Sequence, residues 1–223
     1  MKHTALIAAL MIPAAALAGP FDGPYAGAYA GHGWAEDKGV ARSQITGAVN
    51  GWTQKTKPDG AQYGILGGYN WRLGGNYLIG LEADFEGRSG NDDRANQKRN
   101  GVSDPEFNAT TKIKTSASLR GRLGYLVGER TLVYATAGYA AASVSRIWRD
   151  LGAPPAKESH SIVQGGWTAG LGLDYALSDR LSARAEVRHT DYGKDKISAN
   201  LWNESYTQRL TEDALRVGLS YHF

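Results

Sequence analysis

Apolar and polar residues alternate one by one through much of this chain, which is the signature of strands with one oily face and one polar face. The spacing predicts strands over 24–34, 62–71, 77–87, 112–127, 131–144, 162–176, 181–192 and 207–223. In 77–87, Tyr77, Ile79, Leu81, Ala83 and Phe85 share one face, and Gly80, Glu82, Asp84 and Glu86 share the other. In 112–127, Ala117, Leu119, Leu123 and Tyr125 oppose Ser118, Arg120, Arg122 and Gly124. In 181–192, Leu181, Ala183, Ala185 and Val187 oppose Arg184, Glu186 and Arg188. A slip of one residue would exchange the faces, so the pattern fixes register. No amphipathic helix of useful length stands out.

The connections alternate too. Tight turns fall at 73–76, 128–130 and 177–180, whereas 35–61, 88–111, 145–161 and 193–206 are longer and polar. Such long connections are uncommon in compact soluble domains. Short turns on one rim and long loops on the other predict an all-β fold, an eight-stranded antiparallel up-and-down transmembrane barrel with its termini on the short-turn, periplasmic side.

Alternation leaves open whether the apolar face meets lipid or a core, and a secreted lipocalin-like barrel has the opposite sense. Aromatics decide for lipid. Tyr69, Trp71, Tyr77, Tyr125, Tyr175, Tyr221 and Phe223 fall toward the short-turn rim, and Tyr63, Phe85, Tyr139 and Trp167 toward the other. Two such groups form a pair of interfacial girdles. Between them the face is small and aliphatic, as at Val133, Ala135 and Ala137. An Arg or Lys facing mid-bilayer costs about 2–4 kcal/mol, so Arg120, Arg122, Arg184, Arg188 and Arg216 are expected to turn inward. There they would meet Glu82, Asp84, Glu86, Asp174 and Glu186 in a lumen charge network that plugs the barrel. His189 and Asp213 fall on the lipid face, roughly 20–25 Å above the periplasmic end at ~3.3 Å per residue, where the apolar band ends.

The termini fit an exported barrel. Met1-Lys2-His3, an apolar run to Leu17, and Ala16-Leu17-Ala18 predict a cleaved signal peptide over 1–18 and a barrel domain over 19–223. At the other end Leu215, Val217, Leu219, Tyr221 and the terminal Phe223 form the expected C-terminal insertion signal, read by the barrel-insertion machinery. No run approaches ~18 consecutive apolar residues, so no helical span is expected. With no cysteine, stability depends on packing and backbone pairing. The formal net charge of +3 is spread along the chain, without the clustered basic stripe of a nucleic-acid partner.

Several strings resemble the porin-like family of small outer-membrane beta-barrel proteins, which includes alphaproteobacterial outer-membrane immunogenic and opacity-like surface antigens. They are Pro24-Tyr25-Ala26-Gly27 with Gly31, Gly68-Tyr69-Asn70-Trp71, and Ser118-Leu119-Arg120-Gly121-Arg122-Leu123-Gly124-Tyr125. Gly166-Trp167-Thr168-Ala169-Gly170, Asp174-Tyr175-Ala176-Leu177-Ser178-Asp179, Glu186 through Gly193, and Phe223 continue the match. His189 stands where the family pattern would have an aromatic. The resemblance implies a structural or host-facing surface protein and no enzymatic activity.

Candidate chemistry is sparse. His32, His160, His189 and His222 lack metal-ligand spacing, so no metal or cofactor is expected. His160-Ser161 is a weak nucleophile–base pair, and Glu82, Asp84 and Glu86 are better explained by lumen pairing than by acid–base work. Asn108-Ala109-Thr110 fits a glycosylation acceptor pattern but is expected to be ordinary loop. The 88–111 connection carries Asp92, Asp93, Arg94, Lys98, Arg99 and Asp104, a mixed surface for lipopolysaccharide phosphates or a host ligand. The leading expectation is a non-enzymatic outer-membrane barrel that serves envelope structure, displays its loops and keeps its lumen closed. A narrow channel for ions or very small solutes comes second. A lipid-modifying hydrolase using His160 or His189 comes third.

Overall fold

The computed structural model describes residues 19–90 and 92–223, so the expected leader at 1–18 lies outside the described residues. The strands are β1 (Gly23–Ser43), β2 (Val49–Thr56), β3 (Asp59–Gly74), β4 (Tyr77–Ser89), β5 (Asp92–Arg99), β6 (Val102–Val127), β7 (Thr131–Asp150), β8 (Ala156–Ala176), β9 (Leu181–Ala199) and β10 (Glu204–His222). A short 3-10 turn, Asn200–Trp202, separates β9 from β10. No helix among the described residues is long and apolar enough to cross a membrane.

Eight strands close an antiparallel ring in the order β1, β3, β4, β6, β7, β8, β9, β10, with β10 returning to β1. These are the eight strands that the alternation predicts. The closing seam runs from Tyr25↔His222 to Ser43↔Glu204, and the Phe223 amide donates to the Pro24 carbonyl at 3.1 Å. A closed ring leaves no backbone edge to hydrocarbon, which cannot hydrogen-bond it.

The long connections differ from the loops expected. β2 and β5 lie within the first two, and β1, β6, β7, β8, β9 and β10 run well into them. β3 leaves β1 at Trp34↔Asp59, and from Asp37↔Thr56 upward β2 takes its place. Likewise β5 takes over from β4 along β6, and β2 meets β5 at Trp52↔Arg99 and Thr53↔Lys98. The wall therefore continues far beyond the outer aromatic girdle. It opens on one side, because the β8–β9 ladder stops at Trp167↔Asp191. Two side-chain clasps lace that gap. Glu158 accepts from the Asn200 and Leu201 amides at 3.0 and 3.1 Å, and Gln164 donates to the Gly193 carbonyl at 3.1 Å.

Two bulges re-aim side chains where the wall leaves the apolar band. One at Ile113/Thr115 in β6 turns Ile113 and Thr111 inward while Lys112 and Lys114 stay outside. The other lies where β10 steps from Arg209 to Thr211. Opposite that step, Gly193 in β9 takes a φ of +74°, a left-handed conformation that glycine adopts without a Cβ clash. Beyond it Ile197 and Ala199 face inward.

Outside, Leu81, Leu119, Leu171, Val187 and Val217 are all more than half exposed, and form with their small neighbours an aliphatic band. Inside, the interior is layered. Phe21, Leu78, Leu126, Leu132 and Ala176 close the short-turn end, with the Asn70 amide holding the Phe21 carbonyl at 2.8 Å. A charged layer follows. Above it lie an apolar layer around Ile113, Val144, Tyr192 and Leu210, and a further one around Trp148, Ile197 and Tyr206.

Leu171 sits on β8 midway between the girdle residues Trp167 and Tyr175 and is 64 % exposed. Leu171→Arg is expected to lower the free energy of folding into lipid vesicles by about 2–4 kcal/mol, read from urea titrations, with Leu171→Ala costing far less. Equal tolerance of both would contradict a lipid-facing wall.

Candidate functional site

The chemistry-bearing residues converge in the barrel interior because alternation puts one side of every ring strand there. Glu82 on β4 stands directly opposite Arg120 on β6, and Asp174 on β8 opposite Arg184 on β9. Arg120 reaches across to Glu186 at 2.7 Å and to Asp84 at 3.2 Å. Arg184 bridges Glu82 at 2.8 Å and Asp174 at 3.3 Å, and Arg122 also binds Asp174. Higher up, Arg188 binds Asp84 at 3.2 Å, Arg88 binds Glu86 at 2.7 Å, and Arg216 binds Glu86. All ten residues expected in the lumen are buried here.

The sequence reading missed four members. Arg88 and Glu212 form a pair with each other in this layer, and a separate fork above it joins Arg146 to Asp37 at 2.7 and 3.0 Å. Parity would have found them: Arg88 continues the face of Glu82 to Glu86, and Glu212 that of Arg216. With them, seven guanidiniums (Arg88, Arg120, Arg122, Arg146, Arg184, Arg188 and Arg216) face seven carboxylates (Asp37, Glu82, Asp84, Glu86, Asp174, Glu186 and Glu212).

Tyrosines complete the layer. Tyr25 donates to Glu82 at 2.8 Å, Tyr29 to Glu86 at 3.2 Å, Tyr134 to Glu186 at 3.3 Å and Tyr192 to Glu212 at 3.2 Å. The Arg122 guanidinium lies 3.8 Å from the Tyr134 ring centroid, a cation–π contact in a dry setting. Room for that ring depends on glycine: a Cβ on Gly172 would sit 2.2 Å from it.

The outer face carries its own polar marks. His189 and Asp213 are cross-strand partners with Nδ1 and Oδ1 2.7 Å apart, and the His189 ring lies 5.3 Å from Trp167. His32 pairs Asp59 at 3.5 Å beside Trp34. Both pairs lie level with the outer aromatics, where water is within reach. Above them, Lys55, Lys38, Arg209 and Lys194 are successive cross-strand neighbours on β2, β1, β10 and β9. All four are exposed, and among the described residues Glu36 and Asp191 bind members of the row.

The sequence candidates for catalysis are not brought together. His160 Nε2 lies 2.9 Å from Glu158, while Ser161 donates to Ser145 at 3.3 Å. His222 is buried at the short-turn end against Ser182 at 3.0 Å. The residues of the C-terminal pattern, Leu215, Val217, Leu219, Tyr221 and Phe223, all point outward on β10 and its end. Asn108 is buried within β6 and accepts from Arg94 at 3.0 Å.

Comparison with known proteins agrees with this architecture. The 31 kDa outer-membrane immunogenic protein of Brucella melitensis biotype 1 is 33% identical over 163 residues, covering 72% of this chain and 65% of that protein. The chain thus spans about two thirds of the length of that relative. The 25 kDa outer-membrane immunogenic protein of Brucella abortus biovar 1 is 28% identical, covering 86% of this chain and 75% of that one. Among solved structures, the outer membrane protein OprG from Pseudomonas aeruginosa superposes with a TM-score of 0.59 at 14% identity, covering 92% of this chain and 98% of its own. The outer membrane protease OmpT from Escherichia coli does so at 0.53 and 11%, covering 93% and 99%. At such identities the likeness is one of fold. Residues 4–223 match the family model described as the outer membrane protein beta-barrel domain, and the chain belongs to that family, an antiparallel β-barrel of the outer membrane.

Proposed function

We propose that this protein is a non-enzymatic outer-membrane barrel with a closed lumen, which stiffens the envelope and carries a tall extracellular extension for surface interaction. The observation that supports this most is the charge-matched lumen. Its ionised side chains are buried in mutual contact, between an apolar seal at the short-turn end and two apolar layers above. A conduction path would have to break those pairs, and separating a buried pair costs several kcal/mol.

Envelope lipid is the proposed partner of the outer wall. The row Lys55, Lys38, Arg209 and Lys194 lies about 10 Å above Trp34, taking four residues at ~3.3 Å and a ~40° strand tilt. That is the height of anionic headgroups, and each cation presents donors suited to the phosphates of lipopolysaccharide. The outward pattern at Leu215, Val217, Leu219, Tyr221 and Phe223 is proposed as the feature the insertion machinery reads.

The narrow-channel alternative draws on one observation. The Nε atoms of Arg88, Arg120 and Arg122 are buried without a hydrogen-bond partner among the described residues, and a thread of water would satisfy them.

Purified protein in planar bilayers at neutral pH is expected to give no discrete conductance steps; regular steps would replace the closed-lumen reading with the channel. Arg120→Leu removes the guanidinium partner of Glu186 and one of those of Glu82, which keeps Arg184, and is expected to lower stability by about 3–5 kcal/mol in urea titrations, part of which Glu186→Gln should restore. Exchanging both Lys38 and Arg209 for Glu should reduce retention of lipopolysaccharide during purification without altering the heat-dependent shift on SDS gels. Unchanged retention would remove the cationic row from the proposal.

A further inference from the structure

The mouth of the extension holds a cavity of about 290 Å³ that none of the lumen chemistry uses. Six elements build it, β2, β5, β6, β7, the 3-10 turn and β10, drawn from four separate stretches of the chain. Its walls are aromatic. Trp52 and Phe107 pack with ring centroids 4.8 Å apart, Trp202 lines the site from the 3-10 turn, and the Arg99 guanidinium lies 5.6 Å from the Trp52 ring.

The polar groups are pre-set rather than loose. Tyr206 is buried and stacked on Trp148 at 5.1 Å, and its hydroxyl lies 2.8 Å from Glu204 Oε2 and 3.1 Å from Gln97 Oε1. Asn50 fixes the other Glu204 oxygen at 2.5 Å. Gln97 is 3 % exposed and lines the cavity, its side-chain oxygen accepting from the Tyr206 hydroxyl.

From these features we infer that the mouth cavity binds a single neutral pyranose ring. The charges lining it cancel, Arg99 and Arg149 against Asp104 and Glu204, so neither an anion nor a cation is favoured. A pyranose has a flat C–H face for the indole and phenyl walls, and a rim of hydroxyls that both donate and accept. The carboxylates, guanidiniums and Gln97 amide that line the cavity match that rim. The volume falls just below the usual ~300–1,000 Å³ of ligand sites, which admits one ring and excludes an oligosaccharide buried whole. The inference rests on the surface-interaction reading only for the side from which the sugar arrives.

The test uses the full chain refolded in a zwitterionic detergent that has no sugar headgroup. Tryptophan fluorescence is titrated with D-glucose, D-galactose, D-mannose and N-acetyl-D-glucosamine, with L-alanine for comparison. At least one sugar should give a saturable change with a Kd on the order of mM. Gln97→Leu, close to isosteric, should weaken it at least ~10-fold, the loss expected when a site built to hydrogen-bond a hydroxyl loses its partner. Trp202→Ala should abolish it while the heat-dependent gel shift stays intact.

Methyl glycosides separate the two sources of such a ring. Equal binding identifies the terminal residue of a glycan, and lost binding identifies a free sugar. Saturation by L-alanine alone, by no sugar, or unchanged in both variants would overturn the inference. Orientation is tested apart from it. Leu201→Cys, in a chain with no other cysteine, should react with a membrane-impermeant maleimide on intact cells. No reaction would overturn the outward-facing reading and leave the solution measurement standing.

Discussion

An ionised side chain cannot be left facing hydrocarbon, and the placement of nearly every charge in this barrel follows from that one penalty. Seven arginines and seven carboxylates lie on the ring strands and their upward continuations, all on the inward face. Turning any one outward at mid-bilayer costs about 2–4 kcal/mol, and several together would exceed the stability of an ordinary domain. Turning them inward is safe only if each finds a partner, because an unpaired charge in the lumen is nearly as expensive. Equal numbers and direct cross-strand opposition, as at Glu82 and Arg120, meet that condition.

The same penalty explains where the rules relax. His189–Asp213 and His32–Asp59 stand on the outer face, each beside a tryptophan at the upper girdle. At that height water competes for the polar atoms, so a paired imidazole and carboxylate are tolerable where a guanidinium at Leu171 would not be. Four residues higher along β1, Lys38 stands exposed beside Glu36. Polarity on the outer wall thus rises stepwise with height, from aliphatic through aromatic and paired titratable groups to exposed cations.

Legibility in the sequence followed solvent. Between the girdles, alternation was enforced on both faces, and the eight ring strands could be read with their inward and outward sides. Above the girdle both faces of the wall meet water or a mixed interior. β2 (VNGWTQKT) and β5 (DDRANQKR) accordingly show no apolar face, and read as polar connection. The bulges at Ile113/Thr115 and Gly193 also shift parity, so a reader who extended the alternation would have placed Lys112 and Lys114 inside. Arg88 and Glu212 were within reach by parity alone. The short-turn seal is also placed by parity, but Leu78 and Leu132 face inward against the rule that oily residues of this barrel face out, so composition alone hides them.

Those inward leucines show that charge matching does not by itself fill the barrel. A ring of eight strands leaves an interior just wide enough for side chains, and the charged layer occupies only its middle. At the short-turn end Phe21, Leu78, Leu126 and Leu132 exclude water beneath the ion pairs; above, Ile113, Val144 and Leu210 do so from the other side. Excluding water strengthens each pair electrostatically and raises the cost of breaking one. The apolar layers and the charges are therefore interdependent: without the seals the pairs would be ordinary hydrated contacts, and without the pairs the sealed chamber would hold uncompensated charge. Beyond the upper seal that constraint ends. There, around Tyr206 and Gln97, the interior gives way to a cavity large enough for a small ligand.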